Sequence, residues 1–217
     1  GAAMEKYWNA VADEFLAECI GDEADIDVTM LSEAFGHLIA TNLDNPIIHF
    51  DLDSIIKGMR DAAAGKAAPM TEQEFEETIA AIHITTVQQV ASSNLSKAEN
   101  FLANNAKDKA VTEIVPGMLQ IQILQEGHGD TVTEHSSPLL TYKGTSLDGQ
   151  VFGSTEEVGG PVTIPLDQTI PGFAQGIIGM KVGEKRKIFV HPDMGYGIDK
   201  GSPLPNSLLV FEVEVIS

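Results

Sequence analysis

The pattern of apolar and polar positions changes from a helical to a strand period part way along the chain. Up to about residue 105, apolar residues recur every three or four positions, which is typical of amphipathic helices. From Met118 onward, short runs of alternating apolar and polar residues are separated by Gly, Pro and Asp, which predicts half-buried strands. Residues 171–180 alone return to helical spacing in this second part. The pattern therefore predicts an α+β protein whose C-terminal antiparallel sheet wraps around one short helix.

The N-terminal part is predicted to hold three short helices. Their apolar stripes are Tyr7, Val11, Phe15 and Ile20, then Met30, Ala34, Leu38 and Ile39, then Leu52, Ile55, Ile56 and Met59. Asn45-Pro46 ends the second helix, because the residue before a proline avoids the helical region, and Asp51 or Asp53 caps the third. Helices this short are unstable alone, and a unit of about 60 residues buries little apolar surface. We therefore expect residues 1–68 to pair with a second copy as a helical dimerisation domain.

A long helix is predicted to follow. Thr71 and Glu74 form a capping box, and no Pro or Gly occurs between Thr71 and Ala110. A helix from 71 to about 105 would be roughly 50 Å long. Its C-terminal half is mostly polar, which is typical of a spacer, although a break near residues 82–87 stays open as an alternative. The predicted division is a connecting helix over 69–110 and a sheet domain over 111–217, with a hairpin turn at Asp148-Gly149.

Charge and composition exclude several classes of protein. The net charge is −19, and both halves are acidic, with 19 acids against 7 bases in residues 1–110 and 13 against 6 in residues 111–217. Such a chain repels phosphate, so no nucleic-acid partner is expected, and the basic run at 185–187 is interpreted as the solvated part of a strand. Cys19 is the single cysteine, so it forms either an intermolecular bridge or a half-buried helical thiol. No apolar run is long enough to span a membrane.

The residues offer no motif for covalent, metal or cofactor chemistry. None of the six histidines has metal-ligand spacing, and the chain has no nucleophile elbow, P-loop or dinucleotide-binding glycine pattern. Glu156-Glu157 is interpreted as a solvated loop. Four aromatics stand out in the C-terminal part, namely Tyr142, Phe152, Phe173 and Tyr196. They form either an ordinary core or the lining of an apolar pocket that needs no cofactor and no metal.

Six short segments follow one another in the C-terminal part. They are YKG at 142–144, LDGQVF at 147–152, TIPGF at 169–173, GMKVGE at 179–184, HPDMGYG at 191–197 and LLVFEVE at 208–214. In this order they resemble the FKBP-type peptidyl-prolyl cis-trans isomerases. FDL at 50–52, KGM at 57–59 and ENFL at 99–102 resemble the dimeric, Mip-like (macrophage infectivity potentiator) bacterial subgroup of that family. The resemblance covers most of the chain.

The resemblance implies an enzyme that rotates X–Pro bonds in proline-containing polypeptide clients during folding, with chaperone character. The catalytic residues that it implies are Tyr142, Phe152, Ile170, Phe173, Tyr196 and Phe211, and the substrate-binding residues are Gly153, Val162, Ile164 and Thr169. Phe173 is expected to be the floor beneath the proline ring. The Ile170 backbone N–H is expected to donate to a substrate carbonyl, and the Tyr196 hydroxyl to the amide oxygen. The resemblance also implies a homodimer in the periplasm or at the outer-membrane surface, with a native precursor that can carry a lipid anchor.

Three positions depart from the pattern of this family. Gly153 stands where an Asp usually follows the Phe, Phe173 stands for the usual Trp, and Val162 stands for a usual Phe. The pocket is therefore less polar, so we expect weaker turnover and, more so, weaker binding of macrolides such as rapamycin or FK506. Two alternatives remain open at this point. One is a chaperone or an adhesion and virulence module that binds proline-rich chains with weak or no turnover; the other is a structural dimer with a vestigial domain.

Overall fold

The computed structural model describes residues 27–43, 47–198 and 204–217. The chain divides between Met70 and Thr71 into two compact units. The first predicted helix and Cys19 lie outside the described residues. The α+β class, with N-terminal helices, one long helix and a C-terminal antiparallel sheet, is confirmed.

The described part of the first unit consists of two helices. Helix α1 spans Val28–Asn42 and helix α2 spans Leu52–Ala63. The Asp27 carboxylate accepts from two backbone N–H groups at the start of α1, and Asp51 is the N-cap of α2. Within this described part, neither helix has a buried residue. Large apolar side chains are therefore left exposed along both helices, namely Val28, Met30, Leu31, Phe35, Leu38, Leu52, Ile56 and Met59.

The long helix is continuous. Helix α3 spans Glu72–Asn105 without a break, which confirms the single helix over the alternative of two. The Glu74 N–H donates to the Thr71 hydroxyl, and the Glu74 carboxylate accepts from the Thr71 N–H at 2.8 Å, so both halves of the predicted capping box are present.

The second unit is built on a seven-stranded antiparallel sheet, counted over the described residues. The strands are β1 Val111–Val115, β2 Leu119–Gln125, β3 Leu139–Thr145, β4 Val151–Ser154, β5 Val162–Thr163, β6 Lys185–Val190 and β7 Leu209–Val215. Their order is β1-β2-β6-β7-β3-β4, and β5 pairs with the start of β3 beside β4. Strand β1 precedes the predicted start of the sheet at Met118. The predicted turn at Asp148-Gly149 connects β3 to β4, and Gly149 has a positive φ of 86°.

A short helix packs on the inner face of this sheet. Helix α4 spans Pro171–Ile177, with Pro171 at its first position. A Cβ added to Gly176 would lie 2.6 Å from Ile188 Cγ2, so only a glycine allows the helix to approach β6 this closely. Alternate residues of β7 point inward and are buried beneath the helix. The main core therefore lies between α4 and the sheet.

The C-terminal turns of α3 belong to a second core. Ala98 and Leu102 are buried against Phe189 and Leu208, and the rings of Phe101 and Phe189 are 5.6 Å apart. This arrangement differs from the free spacer that the polar sequence suggested. A stripe of a few small and apolar residues is sufficient to hold the helix, because the rest of its surface faces water.

The basic run at 185–187 is not wholly solvated, which corrects the sequence interpretation for its central residue. Arg186 is buried, and its guanidinium contacts both Glu184 carboxylate oxygens, the nearer at 3.0 Å. It also donates to the Gly176 carbonyl at 2.8 Å, near the end of α4. Burial of this charge is tolerated because Glu184 is buried beside it. The hydrogen bond from Arg186 to Gly176 thus ties α4 to the sheet.

Candidate active site

A cavity of about 270 Å³ lies between α4, strands β3, β4 and β7, and the loop after β6. Its lining residues are Tyr142, Phe152, Gly153, Ile164, Gln168, Thr169, Ile170, Phe173, Tyr196 and Phe211. The structure thus brings nine of the ten site residues expected from the sequence around one cavity. Val162 is the exception, because it pairs with Leu140 in β5 and does not line this cavity. Gln168, which the sequence analysis did not single out, does line it.

Five aromatic rings form the apolar surface of the cavity. Phe173 and Phe211 are buried, with ring centroids 5.1 Å apart in an edge-to-face arrangement. Tyr142 contacts both of them, and its ring centroid is 5.9 Å from that of Phe173. Phe152 packs edge-on against Phe211 at 5.4 Å and against Tyr196 at 6.3 Å. Edge-to-face pairs of this kind hold the rings in one arrangement, so the cavity is preformed.

Local backbone contacts fix the two rings that come from β3 and β4. The Thr155 hydroxyl accepts from the Tyr142 N–H at 3.2 Å, at a point where the pairing of β3 with β4 has ended. Gly144 faces the Phe152 ring, and a Cβ there would lie 2.6 Å from two of its carbons. The missing side chain therefore allows Phe152 to lie across β3 and reach Phe211.

The rim opposite these strands is a tight turn that leads into α4. The Thr169 hydroxyl donates to the Leu166 carbonyl at 2.9 Å, at the end of the 3-10 helix Leu166–Gln168. Ile170 follows as the N-cap of α4, with φ of −60° and ψ of 147°. Within the described residues, the Ile170 N–H has no acceptor. The Ile170 N–H is therefore a free backbone donor at the edge of an apolar cavity.

Tyr196 approaches the cavity from the loop after β6. This loop begins with the 3-10 helix Pro192–Met194, and the N–H groups of Gly195 and Gly197 both donate to the Pro192 carbonyl at 3.0 Å. The Tyr196 side chain is about half exposed, and its hydroxyl makes no hydrogen bond to the described part of the chain. Burial raises the pKa of Tyr196 above its ordinary value, and the nearby Tyr142 phenol adds to this. The hydroxyl is therefore a protonated donor throughout the neutral range.

Another hollow, of about 340 Å³, adjoins the strands and is lined partly by charged residues. Two of these, Lys185 and Glu214, form an ion pair at 3.4 Å. It has no buried aromatic floor. The aromatic cavity is therefore the better candidate for an active site.

The aromatic cavity can bind a ligand and donate hydrogen bonds to it. Its lining has two phenols, the Gln168 amide, the Thr169 hydroxyl and the free Ile170 N–H, but no carboxylate, amine, thiol or imidazole. No group of three or more metal-ligating side chains occurs in the described residues. Such a cavity can hold an apolar ring on Phe173 and donate hydrogen bonds to a flanking amide. Together with the fold, this defines the class of enzyme that rotates a bond without breaking one.

Comparison with known proteins identifies the family. Residues 128–216 match the family described as FKBP-type peptidyl-prolyl cis-trans isomerase, and residues 28–123 match the domain amino terminal to it. The chain is 43% identical over 199 residues to the peptidyl-prolyl cis-trans isomerase Mip of Chlamydia pneumoniae, covering 90% of this chain and 77% of that protein. The chain belongs to the FKBP-type peptidyl-prolyl cis-trans isomerases and is an enzyme of that activity.

Two further relatives extend the comparison. The outer membrane protein MIP of Legionella longbeachae is 32% identical over 200 residues, which is 88% of this chain and 85% of that protein. The crystal structure of FkpA from Escherichia coli superposes with a TM-score of 0.73 at 29% identity, covering 89% of this chain and 97% of that one. Among the described residues, no helix has the length and apolarity needed to cross a membrane.

Proposed function

We propose that this enzyme rotates X–Pro bonds in the aromatic cavity between α4 and strands β3, β4 and β7. The observation that carries the proposal is the Ile170 N–H, which lacks an acceptor among the described residues and lies at the edge of an aromatic floor. A proline ring on Phe173 would bring a neighbouring carbonyl to this donor. The clients are polypeptides with accessible prolines, because the cavity offers an aromatic floor for the ring and hydrogen-bond donors for the amide beside it.

The barrier to be lowered is that of rotation about a partial double bond, about 18–20 kcal/mol. Amide resonance places negative charge on the oxygen, and water stabilises that charge. Transfer of the amide into an apolar cavity removes this stabilisation and favours the twisted amide, which has less resonance. The aromatic walls provide the apolar surroundings. The fixed donors bind the carbonyl oxygens in the positions that these take in the twisted peptide, so they replace water without favouring the planar amide.

We assign the roles as follows. Phe173 is the floor, and Tyr142, Phe152 and Phe211 are the walls around it. Ile164, Thr169 and Gly153 complete the surface that binds the flanking residues. The Ile170 N–H binds a carbonyl of the client, and the Tyr196 hydroxyl binds the oxygen of the prolyl amide. Val162 has no assigned contact, because it lies outside the cavity lining.

The Ile170 donor can be removed by substitution. Ile170→Pro deletes the N–H, and the observed φ of −60° suits proline. Thr169 has φ of −100° and ψ of 166°, which the residue before a proline adopts readily. Ile170→Ala is the matched control, because it shortens the side chain and keeps the N–H. In a protease-coupled assay on a proline tetrapeptide, we expect Ile170→Pro to be at least several-fold slower than Ile170→Ala. Equal kcat/KM for the two variants would contradict the role of this donor.

A second function, holding of unfolded clients, is favoured by exposed apolar residues on α3. Phe75, Ile82, Ile84 and Val90 are exposed within the second unit, on the part of the helix before its docked turns. We infer chaperone character from them. Suppression of aggregation of a client without proline should weaken when Phe75 and Ile82 are both replaced by Gln, while turnover of a tetrapeptide stays unchanged. Loss of both activities together would argue for a single site.

We propose a homodimer, in which residues 1–68 join two copies, 69–110 form the connecting helix and 111–217 form the isomerase domain. The exposed apolar residues of α1 and α2 support this assembly.

A periplasmic or outer-membrane location is supported by the name of the Legionella longbeachae relative. We also propose that the native precursor carries a lipid anchor and that the cavity binds macrolides weakly. Fractionation of cells expressing the native gene tests the location, and a purely cytoplasmic signal would contradict it.

A further inference from the structure

Strand β4 has an open space in the cavity wall at Gly153. A Cβ added there would lie 3.6 Å from both the hydroxyl oxygen and Cε2 of Tyr142, with no closer heavy atom among the described residues. The glycine backbone is not in the left-handed region, so its conformation does not require a glycine. We call this space the Gly153 notch. It lies next to Phe152 in sequence and beside the phenol of Tyr142 in space.

The Tyr142 hydroxyl that borders the notch lacks a partner within the described chain. No hydrogen bond from this oxygen occurs there, although the backbone of Tyr142 is held on both sides. The ring is fixed by Phe173 and Phe211, so the hydroxyl cannot turn far away from the cavity. A phenol O–H in an apolar wall is stabilised when it finds an acceptor, and the lining supplies no carboxylate. A bound client can supply the acceptor.

We propose that the Tyr142 hydroxyl donates to an uncharged acceptor on the side chain that precedes the client proline, and that Gln is preferred there. The proposal rests on the function above, which places the proline ring on Phe173. The carbonyl of the residue before the proline is the one assigned to Tyr196, and Phe152 packs against the Tyr196 ring and adjoins Gly153 in β4. The proposal therefore places this residue beside Phe152 and next to the notch. A Gln side-chain carbonyl can enter the notch and stand about 2.7–2.8 Å from the hydroxyl.

Charge decides between an amide and a carboxylate as the occupant of the notch. The cavity lining has no cation, and the chain carries a net charge of −19. A Glu before the proline would lose its hydration without meeting an opposite charge, whereas a Gln loses less. The inferred client class is therefore a chain with an uncharged hydrogen-bond acceptor before proline, rather than one with only apolar residues there.

The experiment compares two tetrapeptide substrates that differ at this position. Succinyl-Ala-Gln-Pro-Phe-p-nitroanilide and its Met counterpart have side chains of the same length, and only Gln has the acceptor. For the full chain, we expect kcat/KM to favour Gln over Met by about 2- to 12-fold, the range of one neutral hydrogen bond. Tyr142→Phe should bring the ratio to one. Gly153→Asp should do the same, because its carboxylate fills the notch and accepts from Tyr142.

Tyr196→Phe is the control, because it should slow both substrates and keep their ratio. A ratio of one in the unsubstituted protein, or the same preference for Gln in Tyr142→Phe, would overturn the inference. If neither peptide is turned over, the assigned function of the cavity fails. Calorimetric Kd values for the same peptides then test the notch by themselves: a preference for Gln that depends on Tyr142 supports it, and equal values overturn it.

Discussion

Tyr196 and Phe173 serve the cavity by different physical means. Tyr196 is half exposed and offers a hydroxyl, whereas Phe173 is buried and packs against two rings. Tyr196→Phe should lower kcat/KM about fivefold, since one neutral hydrogen bond contributes about 1 kcal/mol. Its pKa is raised above 10.0, so the hydroxyl is protonated below that pH and the loss should be the same at pH 6 and pH 8. Protease-coupled assays at both pH values measure this.

Phe173→Ala should act on stability as well as on rate. Removal of a buried ring costs about 3–5 kcal/mol, so we expect a loss of this size in the free energy of unfolding of the second unit. Denaturant titration followed by circular dichroism measures it, with Tyr196→Phe as a control that should barely shift the midpoint. Unchanged kcat/KM in both variants would place the active site elsewhere.

Gly153→Asp should tighten macrolide binding more than it raises kcat/KM. A ligand hydroxyl that lacks a partner in this cavity costs about 1–3 kcal/mol, equivalent to about 5- to 150-fold in affinity. The structure supports the substitution, because Gly153 is not at positive φ and a Cβ there would make ordinary contacts. Gly153→Asn is the matched neutral control. Calorimetric titration with rapamycin measures the affinities, and equal values in equally stable proteins would contradict the expectation.

Local signals in the sequence were sufficient to predict some helices and strands and not others. Helix α3 could be predicted to within a residue because its capping box and its long stretch without Pro or Gly are both local. Strand β1 was missed because its burial follows no alternation, and only pairing with β2 makes it a strand. The burial of Arg186 was missed for a similar reason, since it depends on the Gly176 carbonyl of another element.

The cavity shows the same division. Most of its lining could be predicted because the aromatic segments keep one order along the chain. Gln168 could not, because its side chain is polar and exposed and only the 3-10 helix before Thr169 brings it to the rim. Val162 was expected in the wall from the resemblance to the family. Its pairing with Leu140 depends on residues distant in sequence, so no local pattern predicts it.

The docking of α3 on the sheet depends on one buried amide. Gln120 is fully buried, its Nε2 donates to the Leu102 carbonyl at 2.8 Å, and its Oε1 accepts from the Asn105 amide at 2.9 Å. Gln120→Met keeps the length but removes both hydrogen bonds, so the Asn105 amide loses its partner and the Leu102 carbonyl keeps only the Ala106 N–H. We therefore expect a loss of about 1–3 kcal/mol in the free energy of unfolding. Gln122→Met on the same strand is the control, because Gln122 makes no side-chain hydrogen bond among the described residues. Urea titrations that show equal losses for the two variants would contradict the role of Gln120.

The full chain is expected to assemble as a pair of copies. Light scattering of the full chain should give twice the 23.2 kDa of one copy. Phe35→Glu and Leu38→Glu should dissociate it, because each places a charge on the exposed apolar side of α1. Val158→Glu is the control, since Val158 is at least as exposed as these two residues but lies in the second unit.

The same measurement distinguishes pairing of two copies from cover within one copy. If the chain itself covers α1, the Glu variants should lower the melting temperature and leave the mass unchanged. A monomeric full chain at micromolar concentration would contradict the dimer outright.

The sheet order has a consequence for how the protein is made. Strand β7 is the last strand of the chain, yet it lies between β6 and β3 and carries the wall residue Phe211. Tyr142 on β3 contacts Phe211 on β7, which lies 69 positions further along the chain. The pairing of β3 with β7 therefore joins residues far apart in sequence and forms slowly. On the ribosome, α1 and α2 emerge long before it. In the proposed dimer, a nascent chain can therefore meet a second copy well before it has a site at which any prolyl bond can turn.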